Sequence, residues 1–165
     1  MGKTKEHLED AFSGESQASR KYHHFAIAAE QEGYPQVAKL FRAAALAETI
    51  HAGNHLKALE KIGKTSENLK SAIEGENYEV NVMYPEFIAE AESNDEKKAL
   101  RSFKWAYEVE KGHEELYKKA LETLGVDTTE LVFYVCPVCG YTHIGLMTDP
   151  CPVCGTLPAK FIKVD

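Results

Sequence analysis

The chain has 165 residues, 44% of them apolar, with 19 basic against 26 acidic side chains and a formal charge of −7. That length holds one moderate domain plus a small appendage, and an acidic balance with no basic block excludes nucleic acid as a partner. No apolar run reaches the roughly 20 residues that span a bilayer. The N-terminus has no apolar signal region, and Glu6 stands where a myristoylation signal requires Ser or Thr. The reading is a cytoplasmic protein without a membrane partner, where paired cysteines are metal ligands rather than disulfides.

Four helices follow from apolar residues recurring at period 3.6. The first is expected over Lys5–Glu32, ending at Gly33-Tyr34-Pro35. Its inward stripe is Leu8, Phe12, Glu15, Ser19, Tyr22, Ala26 and Ala29. The second runs from Pro35 to Ile62 and stops at Gly63, with Val37, Phe41, Ala44, Glu48, His51, His55 and Leu59 inward. The third starts near Ser66 and carries Leu69, Ile73, Glu76, Glu79 or Val80, Met83 and Phe87; Pro85 predicts a kink or local disruption. The fourth, Asn94–Leu124, presents Leu100, Phe103, Tyr107, Glu110, His113, Tyr117 and Leu121. A linker at 127–130 loses the pattern, so the expected organisation is a mainly α bundle over 1–126 and a small β-rich module over 131–165.

Acids interrupt all four apolar stripes. Glu48-Thr-Ile-His51 and Glu110-Lys-Gly-His113 each place a carboxylate and an imidazole one turn apart on one face. Glu15 and the Glu76/Glu79 pair supply acids from the other two helices. A Glu from each of two helices plus Glu-x-x-His from each of two more is the ligand set of a di-iron or di-manganese four-helix bundle. A single inward Glu is ordinarily a solvated face, but five carboxylates ionised together in a core would cost many kcal/mol without a cation. Spacings of 33 residues from Glu15 to Glu48 and 34 from Glu76 to Glu110 suggest a weak internal duplication. Carboxylate-rich ligation favours iron or manganese over structural zinc, and a bridged pair suits two-electron reduction of O₂ or a peroxide. Tyr22 and Tyr84 lie on the same seams, as possible partners of the ligating acids or simply as bundle aromatics. His55 reads as a core histidine, and His23 and His24 as solvated.

In the C-terminal module, Cys136-Pro-Val-Cys139-Gly and Cys151-Pro-Val-Cys154-Gly form a four-thiolate site. The cysteines alone leave iron and zinc equally open. Phe133, Tyr134, Tyr141, Pro150, Phe161 and Ile162 frame a three-stranded β module stabilised mainly by its metal.

Taken together, Gly14-Glu-Ser-Gln-Ala18, Ala47-Glu-Thr-Ile-His-Ala52, Gly75-Glu-Asn-Tyr-Glu79, Met83-Tyr-Pro-Glu-Phe87, Glu110-Lys-Gly-His113 and Tyr134-Val-Cys-Pro-Val-Cys-Gly-Tyr141 resemble the rubrerythrins over essentially the whole chain. The resemblance implies a ferritin-like di-iron bundle with a rubredoxin-like domain. It implies Glu15, Glu48, His51, Glu76, Glu79, Glu110 and His113 as di-iron ligands, and Cys136, Cys139, Cys151 and Cys154 as ligands of a third iron, with zinc as a substitute. It implies a peroxidase taking hydrogen peroxide, two electrons and two protons to two waters. Its electrons would come from an external donor, a rubredoxin or an NAD(P)H-linked reductase, through the Fe(Cys)₄ site. Glu79 and His51 match the family's redox-exchanging ligand pair. The loop Gly140–Pro150 is one residue shorter than the family pattern. Ferroxidase or iron handling, and a zinc-loaded structural protein without turnover, are the alternatives.

Chain length also bears on assembly. Helices two and three of such a bundle run parallel, so a single chain must return roughly 30–35 Å along it. Gly63–Asn68 spans at most about 20 Å. The expectation is a homodimer swapped between helices two and three.

Overall fold

A computed structural model describes residues 2–164. They form two compact units that divide after Gly63. The first is a helical hairpin, α1 (Lys3–Gln31) and α2 (Pro35–Ala58). Gly33, at φ 85°, ends α1: its N–H reaches Glu30 O and the Tyr34 N–H reaches Ala29 O, capping the last carbonyls before Pro35 opens α2. Alanines 26, 29, 38 and 52 bring the helices together and are buried. The Ser19 and Thr49 hydroxyls meet at 2.8 Å, and Lys61 pairs with Glu9 at 3.0 Å.

Helix α2 stops before the expected Ile62. Glu60 adopts φ 54°, with its N–H on Lys57 O and the Lys61 N–H on Leu56 O. The left-handed residue of this cap is a glutamate, at a cost of roughly 1–2 kcal/mol, rather than the glycine three positions later. Asp95, at φ 53°, closes α4 in the same way, so the last long helix begins at Lys97 rather than Asn94.

The second unit contains α3 (Thr65–Tyr78), a π-helical turn (Glu79–Met83), α4 (Tyr84–Ser93) and α5 (Lys97–Glu122). Glu67 accepts the Lys64 N–H at 2.6 Å and starts α3. The first three segments together are the single helix read from the sequence. The disruption attributed to Pro85 lies just upstream of it, where the Tyr84 N–H bonds five residues back to Glu79 O. Pro85 has no N–H for the carbonyl of residue 81, so the wider turn absorbs a residue that an α-helix would leave unpaired there. After α5 come β1 (Phe133–Val135), β2 (Thr142–Ile144) and β3 (Ile162–Val164), antiparallel in the order β2-β1-β3. Phe133 pairs with Ile144 and Val164, and Val135 with Thr142 and Ile162. No helix of the described residues is long and apolar enough to cross a membrane.

Candidate metal centres

In the hairpin, Glu15, Glu48 and His51 offer ligand atoms within 4.8 Å of one another. His51 Nδ1 is 2.8 Å from Glu48 Oε2 and 3.9 Å from Glu15 Oε1. The second unit repeats this arrangement. Glu76, Glu110 and His113 converge within the same 4.8 Å, and His113 Nδ1 is 2.7 Å from Glu110 Oε2. The surroundings repeat as well. Tyr22 lies against Phe25 and Phe41 with ring centroids 6.2 and 6.1 Å away, and Tyr84 lies against Phe87 and Phe103 at 6.4 and 6.5 Å.

The two copies differ by one residue. Glu15 precedes Tyr22 by one position fewer than Glu76 precedes Tyr84, and the π turn falls between the latter pair. That inserted residue accounts for the unequal spacings of 33 and 34 in the sequence. Glu79 opens the inserted turn, whereas the corresponding position in the hairpin is Ala18. The duplication is therefore broken where one additional carboxylate enters.

The charges in the second unit show why it suits a cation. Burial, then the Glu110 charge, pushes the Glu76 carboxyl from its ordinary 4.5 up to about 7. Burial and Glu110 also raise Glu79. Glu110 is held low by its hydrogen bond to His113, and the same bond raises His113. Tyr84 is raised by burial and then by the charges of Glu79, Glu110 and Glu76. Tyr22 sits in its aromatic cluster beside Phe25 and Phe41. The repulsion among these partly buried acids is what a bound cation would relieve.

The four cysteines form the other centre. Cys136 and Cys154 sulfurs are 3.6 Å apart, as are those of Cys139 and Cys151, and all four lie within 4.8 Å. Metal–sulfur bonds of about 2.3 Å in a tetrahedron give sulfur–sulfur edges of about 3.8 Å, close to the two 3.6 Å pairs, so the cluster suits a tetrahedral metal. Gly140 (φ 85°) and Gly155 (φ 76°) turn the two knuckles in the left-handed region. Their N–H groups return to Cys136 O and Cys151 O, while the Cys136 and Cys151 N–H groups reach Tyr141 O and Thr156 O. Burial raises the Cys136 thiol, but N–H donors from Cys139 and Val138 outweigh it and bring it down to about 6. Burial raises Cys139 and Cys151. Such N–H···S donors stabilise thiolates in either metal's complex.

The rubrerythrin family profile matches residues 6–121, and that of its rubredoxin-like domain matches residues 134–162. The chain belongs to the rubrerythrin family. It is 36% identical to rubrerythrin-2 of Clostridium acetobutylicum, covering 96% of this chain and 95% of that protein. It is also 36% identical to nigerythrin of Nitratidesulfovibrio vulgaris, over 93% of this chain and 83% of the relative. The solved structure of fully reduced, all-ferrous nigerythrin superposes with a TM-score of 0.60 at 34% identity, over 99% of this chain and 88% of that one. Rubrerythrins are oxidoreductases with a carboxylate-bridged di-iron site and a rubredoxin-type Fe(Cys)₄ site, and both donor sets here fit those groups. Sequence reading missed three polar contacts that order the second unit: Asn77 and Lys118 on the buried Glu114, at 2.9 and 2.6 Å, and Thr142 on His113 at 2.9 Å. Nothing in the helical period pointed to Thr142, because it lies on a strand.

The pH dependence of stability follows from these groups. The raised Glu76 and His113 stabilise the iron-free fold below their ordinary values, and that contribution is lost as pH rises through the folded values, about 7 for Glu76. Glu110 titrates below 4.5 and lies outside this window. With the carboxylate site empty, the melting midpoint should fall between pH 5.5 and 8, and Glu76→Gln should flatten the slope. With ferrous iron bound the trend should reverse, since ligation requires the deprotonated groups. Calorimetry at these two pH values checks it, and an iron-free midpoint that rises with pH would contradict it.

Proposed function

We propose that this protein is a non-haem di-iron peroxidase that reduces hydrogen peroxide to water in the cytoplasm, with electrons relayed through the C-terminal Fe(Cys)₄ site from an external NAD(P)H-linked reductase or a rubredoxin. The single observation that carries the reading is the presence, in one chain, of two Glu/Glu/His clusters and a four-thiolate cluster. When bound, the paired irons would supply two-electron reducing chemistry, and the thiolate iron one-electron transfer. The ligand set is Glu15, Glu48, His51, Glu76, Glu79, Glu110 and His113 at the carboxylate centre. Cys136, Cys139, Cys151 and Cys154 serve the second. Glu79, which has no equivalent in the hairpin half, would be the ligand that alternates with His51, since a carboxylate favours the ferric state and a neutral imidazole the ferrous. Tyr84, whose phenol is raised by the charges of Glu79, Glu110 and Glu76, would hydrogen-bond to a ligating oxygen, and Tyr22 would do the same in the hairpin. We take the bundle domain as 1–126 and the rubredoxin-like domain as 131–165.

The decisive experiment is steady-state peroxide consumption by the iron-loaded chain with a reductase and NAD(P)H. Bleaching of the Fe(III)(Cys)₄ colour by reductant and its return on adding peroxide support the reading. A colourless zinc protein without turnover sinks it, and oxidation of excess ferrous iron without peroxide turnover points to iron handling instead.

The chain should act as a dimer that exchanges its helical hairpin. From Glu48 to the end of α2 at Ala58 is about 15 Å, and from Thr65 to Glu76 about 17 Å, so a bundle closed within one chain needs a connector of roughly 32 Å. The stretch from Ala58 to Thr65 reaches about 25 Å even fully extended, and the Glu60 turn shortens it. Phe25, Leu40, Leu46 and Ile50 in the hairpin, and Tyr78, Val82 and Phe87 in the second unit, are exposed. Apolar surface of this extent needs a partner. Light scattering should give twice the chain mass with all irons retained. A monomer holding a complete di-iron centre would disprove the exchange.

A further inference from the structure

The contact between His113 and Thr142 joins the bundle to the redox module within one unit, and its proton polarity can be assigned. The Thr142 hydroxyl donates to Gly140 O at 3.3 Å, which leaves an oxygen lone pair for the His113 Nε2–H at 2.9 Å. In the iron-free chain Nδ1 donates to Glu110 Oε2 at 2.7 Å; ligation through Nδ1 would displace that proton and leave the ring's one remaining proton on Nε2, for donation to Thr142. Gly140 closes the first cysteine knuckle, and Val109 Cγ1 is 3.9 Å from where a side chain at this glycine would begin. A groove of about 370 Å³ remains open along the His113–Thr142 contact, lined among others by Leu116, Tyr117, Ala120, Phe133 and Val135. His51, the counterpart of His113, has no such partner among the described residues of its own unit, and its side chain is 53% exposed against 26% for His113.

We infer that Thr142 is a positioning residue. It holds the His113 ring in the Nε2–H tautomer with Nδ1 presented for ligation, and it makes that orientation depend on the seating of the Cys136–Gly140 knuckle. The inference rests on the di-iron reading above only in taking His113 as a ligand. Outer partners of this kind orient metal-bound histidines, and their loss costs about 10–100-fold in metal affinity.

The test uses the full chain loaded with ferrous iron, in which ring N–H protons of coordinated histidines are read by proton NMR as paramagnetically shifted, solvent-exchangeable signals. The His113 proton should exchange slowly in the parent and in Thr142→Ser. It should exchange at least about ten-fold faster in Thr142→Val, as expected for a lost, partly buried hydrogen bond worth about 1.4 kcal/mol. The His51 proton should be unchanged in all three, a selectivity that a general loosening of the fold would not produce. Ferrous affinity at the carboxylate centre should fall about 10–100-fold in Thr142→Val and recover in Thr142→Ser, with the Fe(Cys)₄ spectrum intact. Should Thr142→Val fail to fold, Thr142→Ala removes the acceptor without adding an apolar branch and is read in the same way. Parent-like exchange and affinity in the variant lacking the hydroxyl overturn the inference. If the parent shows no peroxide turnover but the His113 proton responds as described, the peroxidase reading fails and the role of Thr142 stands; turnover with an unresponsive proton separates them the other way.

Discussion

Replacing Glu79 with alanine should lower peroxide turnover by about 100-fold, equivalent to about 2.7 kcal/mol of transition-state stabilisation, while leaving the fold and the Fe(Cys)₄ colour untouched. Glu79 begins the π turn, is half-buried, and senses the charges of Glu110 and His113. It lies outside the tight cluster of Glu76, Glu110 and His113. Its removal therefore leaves that cluster assembled and deletes the one carboxylate that distinguishes this half from the hairpin half, where Ala18 corresponds. Removing a half-buried acid from an acidic group also relieves repulsion in the iron-free state, so the variant should fold at least as well as the parent. Stopped-flow reoxidation of the diferrous protein by peroxide checks the rate, and iron analysis checks occupancy. If Glu79→Ala, with both irons bound, reoxidises at the parental rate, Glu79 is not the exchanging ligand.

The helical period and the two Glu-x-x-His pairs made the bundle and both clusters legible, because a carboxylate in an apolar stripe is a costly anomaly that survives only with a charge partner. The cysteine knuckles were equally plain, since Cys-x-x-Cys-Gly encodes both the ligand spacing and the left-handed turn at Gly140 and Gly155. Helix ends were less legible. Glu60 and Asp95 take the left-handed cap position that glycine usually fills, and cap geometry can override that preference for roughly 1–2 kcal/mol. The π turn was written in the unequal spacings of 33 and 34, but a single inserted residue does not reveal whether the helix breaks, kinks or widens. Thr142 was invisible, since a contact between a strand and a helix 29 residues earlier leaves no local pattern.

Cys139→Ser should lower sustained turnover from an external reductase while sparing a single round of chemistry. Cys139 faces Cys151 at 3.6 Å and accepts a hydrogen bond from the Tyr141 N–H, and burial raises its thiol. A serine offers a hard oxygen that binds iron poorly in a thiolate tetrahedron, and the thiolate character that sets the site's potential is lost. The module has little else to hold it: its strands are three residues each, and Cys136, Met147 and Cys151 are its only buried apolar side chains among the described residues. A β unit of this size depends on its metal for order. The knuckle that carries Gly140, and with it the Thr142 seat on His113, should therefore loosen too. Diferrous centres reduced chemically beforehand should still consume one equivalent of peroxide, because the carboxylate ligands come from the helices. Steady NAD(P)H-driven turnover should fall by at least about ten-fold, a barrier increase of about 1.4 kcal/mol. The ratio of single-turnover to steady-state rates measures the effect directly. A variant that sustains parental turnover without a coloured thiolate site would show that electrons reach the di-iron centre by a route that bypasses the module.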